Sequence, residues 1–444
     1  MRAMTEKKRL NVAIVGCGTV GGATARLLIQ DRELITERSG VDVTIKKIVG
    51  RSLDHARSLD LPEDLLTTDL DPVLEDKEID LIVETVGGID FPRELITRAL
   101  DAGKHVVTAN KALLALHGRE LFAQARRNGL SIGFEASCGG GIPLVRAITE
   151  GLIANEIEAI YGIVNGTSNY ILTEMIQKGQ TYPEALAKAQ STGLAEADPS
   201  MDVQGTDSAH KIAILSSLAF GIEVDYHKIP VAGIDKLEAI DVAYGQDLGY
   251  VVKLLAVAHR DEHGVSIWVR PAFISEEHPL AWVSGPFNAV SIYGHAVGHT
   301  LFYGRGAGGE PTASAVASDI IGIGLGTVPT VFEKTGYWPD RTDGVTQLTE
   351  GRSSSQFYLR IMARDKPGVL AMVSSILAEA RISIASLRQN EQALAKELIP
   401  VVITTHVCPE SAIRQAAAEI DALDVTGDAA VVMPIVDEHP ERVG

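Results

Sequence analysis

Cysteine is scarce in this chain: three residues in 444, Cys17, Cys138 and Cys408, far apart and in no metal-ligand spacing. A disulfide-stapled scaffold and a cysteine-built metal centre are thereby excluded, and a reducing, cytoplasmic setting is expected. Long apolar runs are absent too, none approaching the roughly 20 residues of a membrane-spanning helix. Positive charge is in deficit, with 40 Lys and Arg against 58 Asp and Glu and a formal net charge of −18. That balance argues against nucleic acid or an anionic membrane as a partner. It leaves room for a phosphate-bearing cofactor, which needs only local N–H groups and one or two basic side chains. The first ten residues, MRAMTEKKRL, are basic with no apolar core behind them, so no secretory signal is expected. What is present is a globular mixture, 45% hydrophobic and 22% charged. The length exceeds what one core accommodates, so two or three domains are expected.

The most informative stretch is Leu10 to Gly22, LNVAIVGCGTVGG. An apolar strand, Asn11 to Val15, runs into Gly16-x-Gly18-x-x-Gly21, and a helical stretch, Ala23 to Thr36, follows. In such an arrangement the first glycine allows a tight turn, the second admits a pyrophosphate to the backbone, and the third lets helix pack on strand. The helix N-terminus then offers unpaired N–H groups to the phosphates. A second strand, residues 41–50, ends where an acidic residue would hold the ribose 2′-hydroxyl of NAD. Arg51 stands there instead, with His55 and Arg57 behind it. A guanidinium suits the 2′-phosphate of NADP; the alternative is a solvated loop arginine.

Further strands read over Ile79 to Val86, Lys104 to Thr108 and Ser131 to Ala136, with a helix over Pro92 to Ala102. Ligands of open α/β sheets bind outside the carboxyl ends of the strands. Lys111, just beyond Thr108, is therefore a candidate for the site rather than a surface charge. The strand SIGFEA leads into Ser137-Cys138-Gly139-Gly140-Gly141-Ile142-Pro143. Glu135 with the exposed carbonyls of this loop would make an oxygen cage for a hard cation, or the loop serves only to start a helix at Pro143.

From about residue 145 the pattern changes. A strand, Ile157 to Val164, precedes Asn165-Gly166-Thr167-Ser168-Asn169-Tyr170, which opens a helix. Glu196 and Asp198 lie in a polar loop, Asp202 follows, and a strongly apolar helix spans Thr206 to Phe220. Asp207 and Lys211 are four apart and share one face of it. They form either a surface pair or an acid/base lysine among Glu196, Asp202 and Asp207, carboxylates that could also hold a substrate ammonium. Strand-like stretches, Gly249 to Arg260 and Gly264 to Ala272, suggest an open sheet that covers the site and builds a dimer. A second glycine loop, Tyr303 to Gly309, feeds a helix that returns the chain to the first domain.

Taken together, VGCGTVGG, TANKALLA, FEASCGGGIPL, NGTSNYIL, GLAEADPSMDVQGTDSAHK and GAGGEPTASAVASDI resemble bacterial homoserine dehydrogenases, in the same order over residues 11–325. The resemblance implies NAD(P)-linked interconversion of L-homoserine and L-aspartate 4-semialdehyde, in threonine, methionine and isoleucine biosynthesis; Arg51 favours NADP. It makes Lys211 the acid/base group, Lys111 a second lysine at substrate and nicotinamide, and Asp207 the support of Lys211. Glu196, Asp202 and Thr167 become substrate-binding residues. Gly16, Gly18, Thr19, Val20, Gly21, Arg51, Thr85, Lys111 and Gly308 become cofactor contacts. A sodium ion is implied in the loop at Glu135, Cys138, Gly140 and Ile142, the last three ligating through backbone carbonyls.

Beyond a polar linker, Glu333 to Ser355, the chain reads strand (Phe357–Ala363), helix (Pro367–Ala380), strand (Ser383–Asn390), strand (Leu398–His406), helix (Pro409–Ala422), strand (Ala429–Ile435). This βαββαβ order is a ferredoxin-like plait, with Asp365 expected to cap the first helix and Pro367 in its first turn. Arg364 to Leu370 resembles the opening loop of an ACT domain, which implies an amino-acid effector, threonine first; the alternative is a packing module without a ligand. The expected fold class is α/β: a Rossmann-type parallel sheet, an α+β substrate and dimerisation domain, and a C-terminal ACT-like domain. The expected boundaries are 1–144 rejoined by about 301–332, then 145–300, 333–355 and 356–444, in a homodimer or homotetramer. Two other readings compete. A sensor built on a dead dehydrogenase scaffold is opposed by the presence of both Lys111 and Lys211. An acylating semialdehyde dehydrogenase would need an activated thiol, and no cysteine lies in a basic, exposed context.

Overall fold

In the computed structural model, residues 7–335, 345–349, 353–389 and 398–437 are described. Two compact units divide the chain. The first is Met1–Ile160 with Ser208–His227 and Phe287–Gln347; the second is Tyr161–Asp207 with Lys228–Pro286 and Leu348–Gly444.

The first unit is built on a six-stranded sheet of β1 (Lys8–Val15), β2 (Val41–Val49), β3 (Leu66–Thr67), β4 (Leu81–Glu84), β5 (His105–Thr108) and β6 (Ile132–Gly133), in the order β3-β2-β1-β4-β5-β6. Every pairing is parallel. Near-continuous apolar strands are what a parallel sheet covered on both faces requires. Val12, Ile14, Leu81, Val83 and Val107 form one core with Ala25 and Leu28 of the first helix and Val316 and Ile320 of a later one. The strand order reverses between β1 and β4, which opens a crevice at their carboxyl ends. Also in this unit, β10 (Phe287–Gly294) and β11 (Gly298–Arg305) form an antiparallel hairpin.

Sequence and structure differ locally here. The first helix starts at Thr19, not Ala23, and ends at Gln30; a separate helix, Arg32–Ser39, closes on left-handed Gly40. The strand expected over Ser131–Ala136 is only Ile132–Gly133, because the chain turns into a 3-10 segment, Glu135–Ser137.

The second unit carries strands of a mixed sheet, six of them in the order β8-β9-β16-β12-β14-β13. The strand β7 (Ile157–Ile163) precedes them in the chain. The antiparallel ribbon of β8 (Tyr250–Arg260) and β9 (Val265–Ser275) continues through β16 (Val431–Val436) into β12 (Ser354–Arg364), β14 (Leu398–Thr405) and β13 (Ile384–Gln389), with β15 (Cys408–Pro409) paired to β12. With helices Val369–Glu379 and Glu410–Asp421, the last part is the expected βαββαβ plait. Its core gathers Leu359, Ile361, Val373, Leu377, Ile403, Ile413 and Ile420. Asp365 does not cap the first helix: that helix begins at Val369 after Gly368 in a left-handed conformation (φ 94°). Much of the linker expected over Glu333–Ser355 lies outside the described residues. Of the rest, Leu348 is buried and its N–H bonds the Val265 carbonyl at 2.8 Å, so this part is anchored rather than free.

Candidate active site

Of the three motif glycines, Gly16 and Gly21 are demanded by the fold. Gly16 has φ +99°, and a Cβ there would lie 2.7 Å from the Thr85 carbonyl carbon; at Gly21 it would lie 1.9 Å from the Gly16 oxygen. Gly18 is different: it is exposed, and a Cβ there would meet nothing within 4 Å. Its smallness serves no contact inside the chain, which is what a backbone approached by a ligand requires. Gly18 also stands at the N-cap of helix Thr19–Gln30 without a side-chain cap, so the first-turn N–H groups of Thr19, Val20 and Gly21 face a site suited to an anion. These residues fit a dinucleotide pyrophosphate.

Thr85, at the end of β4, holds this turn: its hydroxyl donates to the Gly16 carbonyl at 2.7 Å. Gly308 precedes helix Gly309–Leu325, and a Cβ on Gly309 would lie 3.2 Å from the Thr19 oxygen. The two glycine loops thus come together. Arg51 is exposed just past β2, whereas Arg57 is engaged with Glu63 at 2.6 Å.

Lys111 opens helix Lys111–Arg127, at the carboxyl end of β5. Lys211 is buried in helix Thr206–Phe220, 7% exposed, with Asp207 one turn before it on the same helix. Both lysines act on Cys138. Burial pushes that thiol up to about 12, opposed by a contact with Ser137 and by the positive charges of Lys211 and Lys111. The thiol also lies 3.9 Å from the Lys211 carbonyl. Residues 100 apart in sequence therefore converge on one loop, and its cysteine is a buried neutral thiol rather than a nucleophile.

The glycine-rich loop after Glu135 packs backbone to backbone on the second glycine loop, with the Gly141 N–H donating to the Arg305 carbonyl at 3.0 Å. Gly140 (φ +56°) leaves no room for a Cβ, which would lie 2.6 Å from Gly306. The Glu135 carboxylate is already committed: its oxygens accept the N–H groups of Val145 and Arg146 at 2.8 and 2.9 Å. Burial raises it to about 7, reinforced by Asp319, itself raised to about 6 by burial. The Glu135 side chain thus serves first as a cap for the backbone at Val145 and Arg146. No cluster of three or more metal-ligating side chains occurs among the described residues.

In the second unit, Asn165 bridges Asp202 and Asp207, donating to them at 2.7 and 2.9 Å, and caps its own helix by accepting the Ser168 N–H. The Thr167 hydroxyl donates to the Leu194 carbonyl at 2.9 Å. Glu196 is exposed in the following loop. The bridging role of Asn165 is not legible in the sequence alone, nor are the bonds by which Glu84 accepts the Thr108 hydroxyl and Asn110 caps helix Lys111–Arg127. The available signal is a glutamate closing the apolar run Leu81-Ile82-Val83.

Profiles described as "Homoserine dehydrogenase, NAD binding domain", "Homoserine dehydrogenase" and "ACT domain" match residues 16–135, 143–321 and 357–425. A homoserine dehydrogenase of Pseudomonas aeruginosa is 44% identical over 420 residues, 94% of this chain and 96% of that protein. The crystal structure of a homoserine dehydrogenase from Thiobacillus denitrificans superposes with a TM-score of 0.91 at 42% identity, covering 97% of this chain and 99% of that one. A hyperthermophilic archaeal homoserine dehydrogenase in complex with NADPH covers 71% of this chain and 98% of its own, at 28% identity and a TM-score of 0.61.

Proposed function

The chain belongs to the homoserine dehydrogenase family, oxidoreductases acting on a CH–OH group with a nicotinamide cofactor, and from that premise we propose how its own residues carry the reaction. The observation that carries the reading is Lys211, buried in helix Thr206–Phe220 with its carbonyl 3.9 Å from the Cys138 thiol, which also feels the charge of Lys111. A bound dinucleotide would supply the hydride acceptor, or in reduction the donor, for homoserine C4. As that C–H bond breaks, the hydroxyl proton passes to the Lys211 amine and the C=O bond forms; reduction runs the same transfers backwards. Asp207 orients Lys211 from one helical turn away. Lys111 holds the substrate against the nicotinamide, while Glu196, Asp202 and Thr167 hold the substrate's polar groups.

A dinucleotide pyrophosphate would be held at Gly18, with Gly16, Thr19, Val20, Gly21, Thr85 and Gly308 as its neighbours. Arg51 reads the 2′-phosphate, so NADP is preferred over NAD; the NADPH complex of the archaeal relative is consistent with this. A sodium ion, if bound, is held by the carbonyls of Cys138, Gly140 and Ile142 beside Glu135. In the plait, a cavity of about 330 Å³ lined by Arg364 to Leu370, Gln389 and Val401 offers both charge signs to a zwitterionic amino acid, and threonine is the first effector to test. The domain boundaries expected from the sequence, a cytoplasmic setting and a homodimer or homotetramer complete the reading. Three free cysteines support the reducing setting, and Leu301 and Tyr303, exposed on β11, support the oligomer.

Lys211→Ala should lower kcat by about two to four decades, the scale of a general acid/base group, with dinucleotide affinity retained. A folded variant with near-normal kcat would remove Lys211 from the chemistry.

A further inference from the structure

Glu84 ends β4 and is fully buried behind the apolar residues Leu81, Ile82 and Val83. One carboxylate oxygen accepts the N–H groups of Val86 and Gly87 at 2.8 and 3.2 Å; the other accepts the Thr108 hydroxyl at 2.6 Å. The Thr108 oxygen in turn accepts the Asn110 N–H at 3.0 Å. Asn110 caps helix Lys111–Arg127 by accepting the Leu113 N–H at 3.1 Å, and its amide donates to the Gly88 carbonyl at 2.8 Å. The chain of bonds starts from one buried carboxylate and ends on two things: the turn Gly87–Gly88 and the first turn of the helix that opens with Lys111.

Burying a carboxylate is costly unless its oxygens are satisfied, and an apolar residue would fill the end of an apolar strand more cheaply. The turn it holds is not a packing element. Gly87 and Gly88 have φ +79° and +80°, both are exposed, and a Cβ on either would meet nothing within 4 Å. They form an open ledge at the carboxyl end of β4, beside the Thr85 hydroxyl that fixes the Gly16 turn. Both products of the network therefore lie on the edge of the sheet where ligands bind.

We propose that Glu84, acting through Thr108 and Asn110, is the positioning residue that sets Lys111 and the Gly87–Gly88 ledge against the bound ligands. The proposal rests on the reading of Lys111 as a residue of the active site. Side chains held by such a supporting layer keep reactive groups in place, and a displacement of about 1 Å costs on the order of 100-fold in rate.

The test is a double-mutant cycle of Thr108 and Lys111 in the full-length enzyme, with melting temperature, homoserine kinetics and dinucleotide affinity measured for each variant. Thr108→Val should lower kcat on the order of 10- to 100-fold and weaken dinucleotide binding, while Thr108→Ser, which keeps the hydroxyl, restores most of both. In a Lys111→Ala background the turnover loss from Thr108→Val should largely disappear, because the group being positioned is gone. Glu84→Gln should follow the Thr108→Val pattern; if it fails to fold, the threonine pair still decides. A Thr108→Val enzyme with normal kinetics, or one losing the same factor of turnover with and without Lys111, overturns the proposal. Normal turnover by Lys111→Ala alone would instead overturn the reading of Lys111.

Discussion

Replacing Gly18 with alanine should separate folding from cofactor binding. Gly18 has φ −88° and ψ −155°, an extended conformation open to any residue, and an added Cβ meets no protein atom within 4 Å. The stability change should stay within about 0.5 kcal/mol, as for other surface positions, or be slightly positive because alanine restricts the unfolded chain. The space the methyl enters is where the pyrophosphate must approach. Losing one hydrogen bond to a charged oxygen costs about 1.5–3 kcal/mol, which is roughly 10- to 150-fold in Kd. Gly16→Ala should behave in the opposite order. Its φ of +99° and the backbone of Thr85 and Val86 at 2.7–2.9 Å should cost stability, on the order of 1–3 kcal/mol, before binding is measured. Reduced-dinucleotide fluorescence titration and denaturation of both variants make the comparison. A Gly18→Ala protein that binds the dinucleotide like wild type refutes the placement of the pyrophosphate. One as destabilised as Gly16→Ala shows that Gly18 serves the fold.

Arg51→Ala should raise KM for NADP and leave NAD nearly untouched; equal effects on both, or a wild-type preference for NAD, would show that Arg51 does not read a 2′-phosphate. Glu410, buried against Arg270 and bonded by Ser353 and Arg414, is lowered to about 2 despite burial. Its folded value lies below the unfolded one, so its contribution is full above about pH 4.5 and fades as pH falls towards 2. Glu410→Ala should therefore cost about 3 kcal/mol near neutrality, with the gap to wild type closing in acid in denaturant titrations; a gap independent of pH would contradict the assignment. A chain ending near Glu350 keeps both lysines and should lose any threonine inhibition. It should also be less stable, because Asp241 and Arg270 lose their buried partners Arg360 and Glu410. Equal threonine inhibition of both lengths would move the effector site out of the plait.

Features that depend on short-range order are legible from the residues alone. The glycine spacing from Gly16 to Gly21, the apolar strands and the βαββαβ run after residue 356 follow from local periodicity and turn chemistry, and the structure reproduces them to within a few residues. Lys211 was legible because a lysine one turn from an aspartate in an otherwise apolar helix is costly to bury. Where the readings slipped, a neighbouring segment had intervened. The strand over Ser131–Ala136 stops early where Glu135 turns to cap the backbone at Val145 and Arg146, and the helix expected from Pro367 with Asp365 as its cap waits for Gly368 to turn the chain. It takes the folded chain to show that Gly18 is the glycine left open, that Cys138 feels the charges of both Lys111 and Lys211, and that Glu84 reaches Thr108 from an adjacent strand. Those are contacts between residues far apart in the chain. No local pattern encodes them, because they arise only when strand order and helix packing bring the ends of separate elements to the same edge of the sheet.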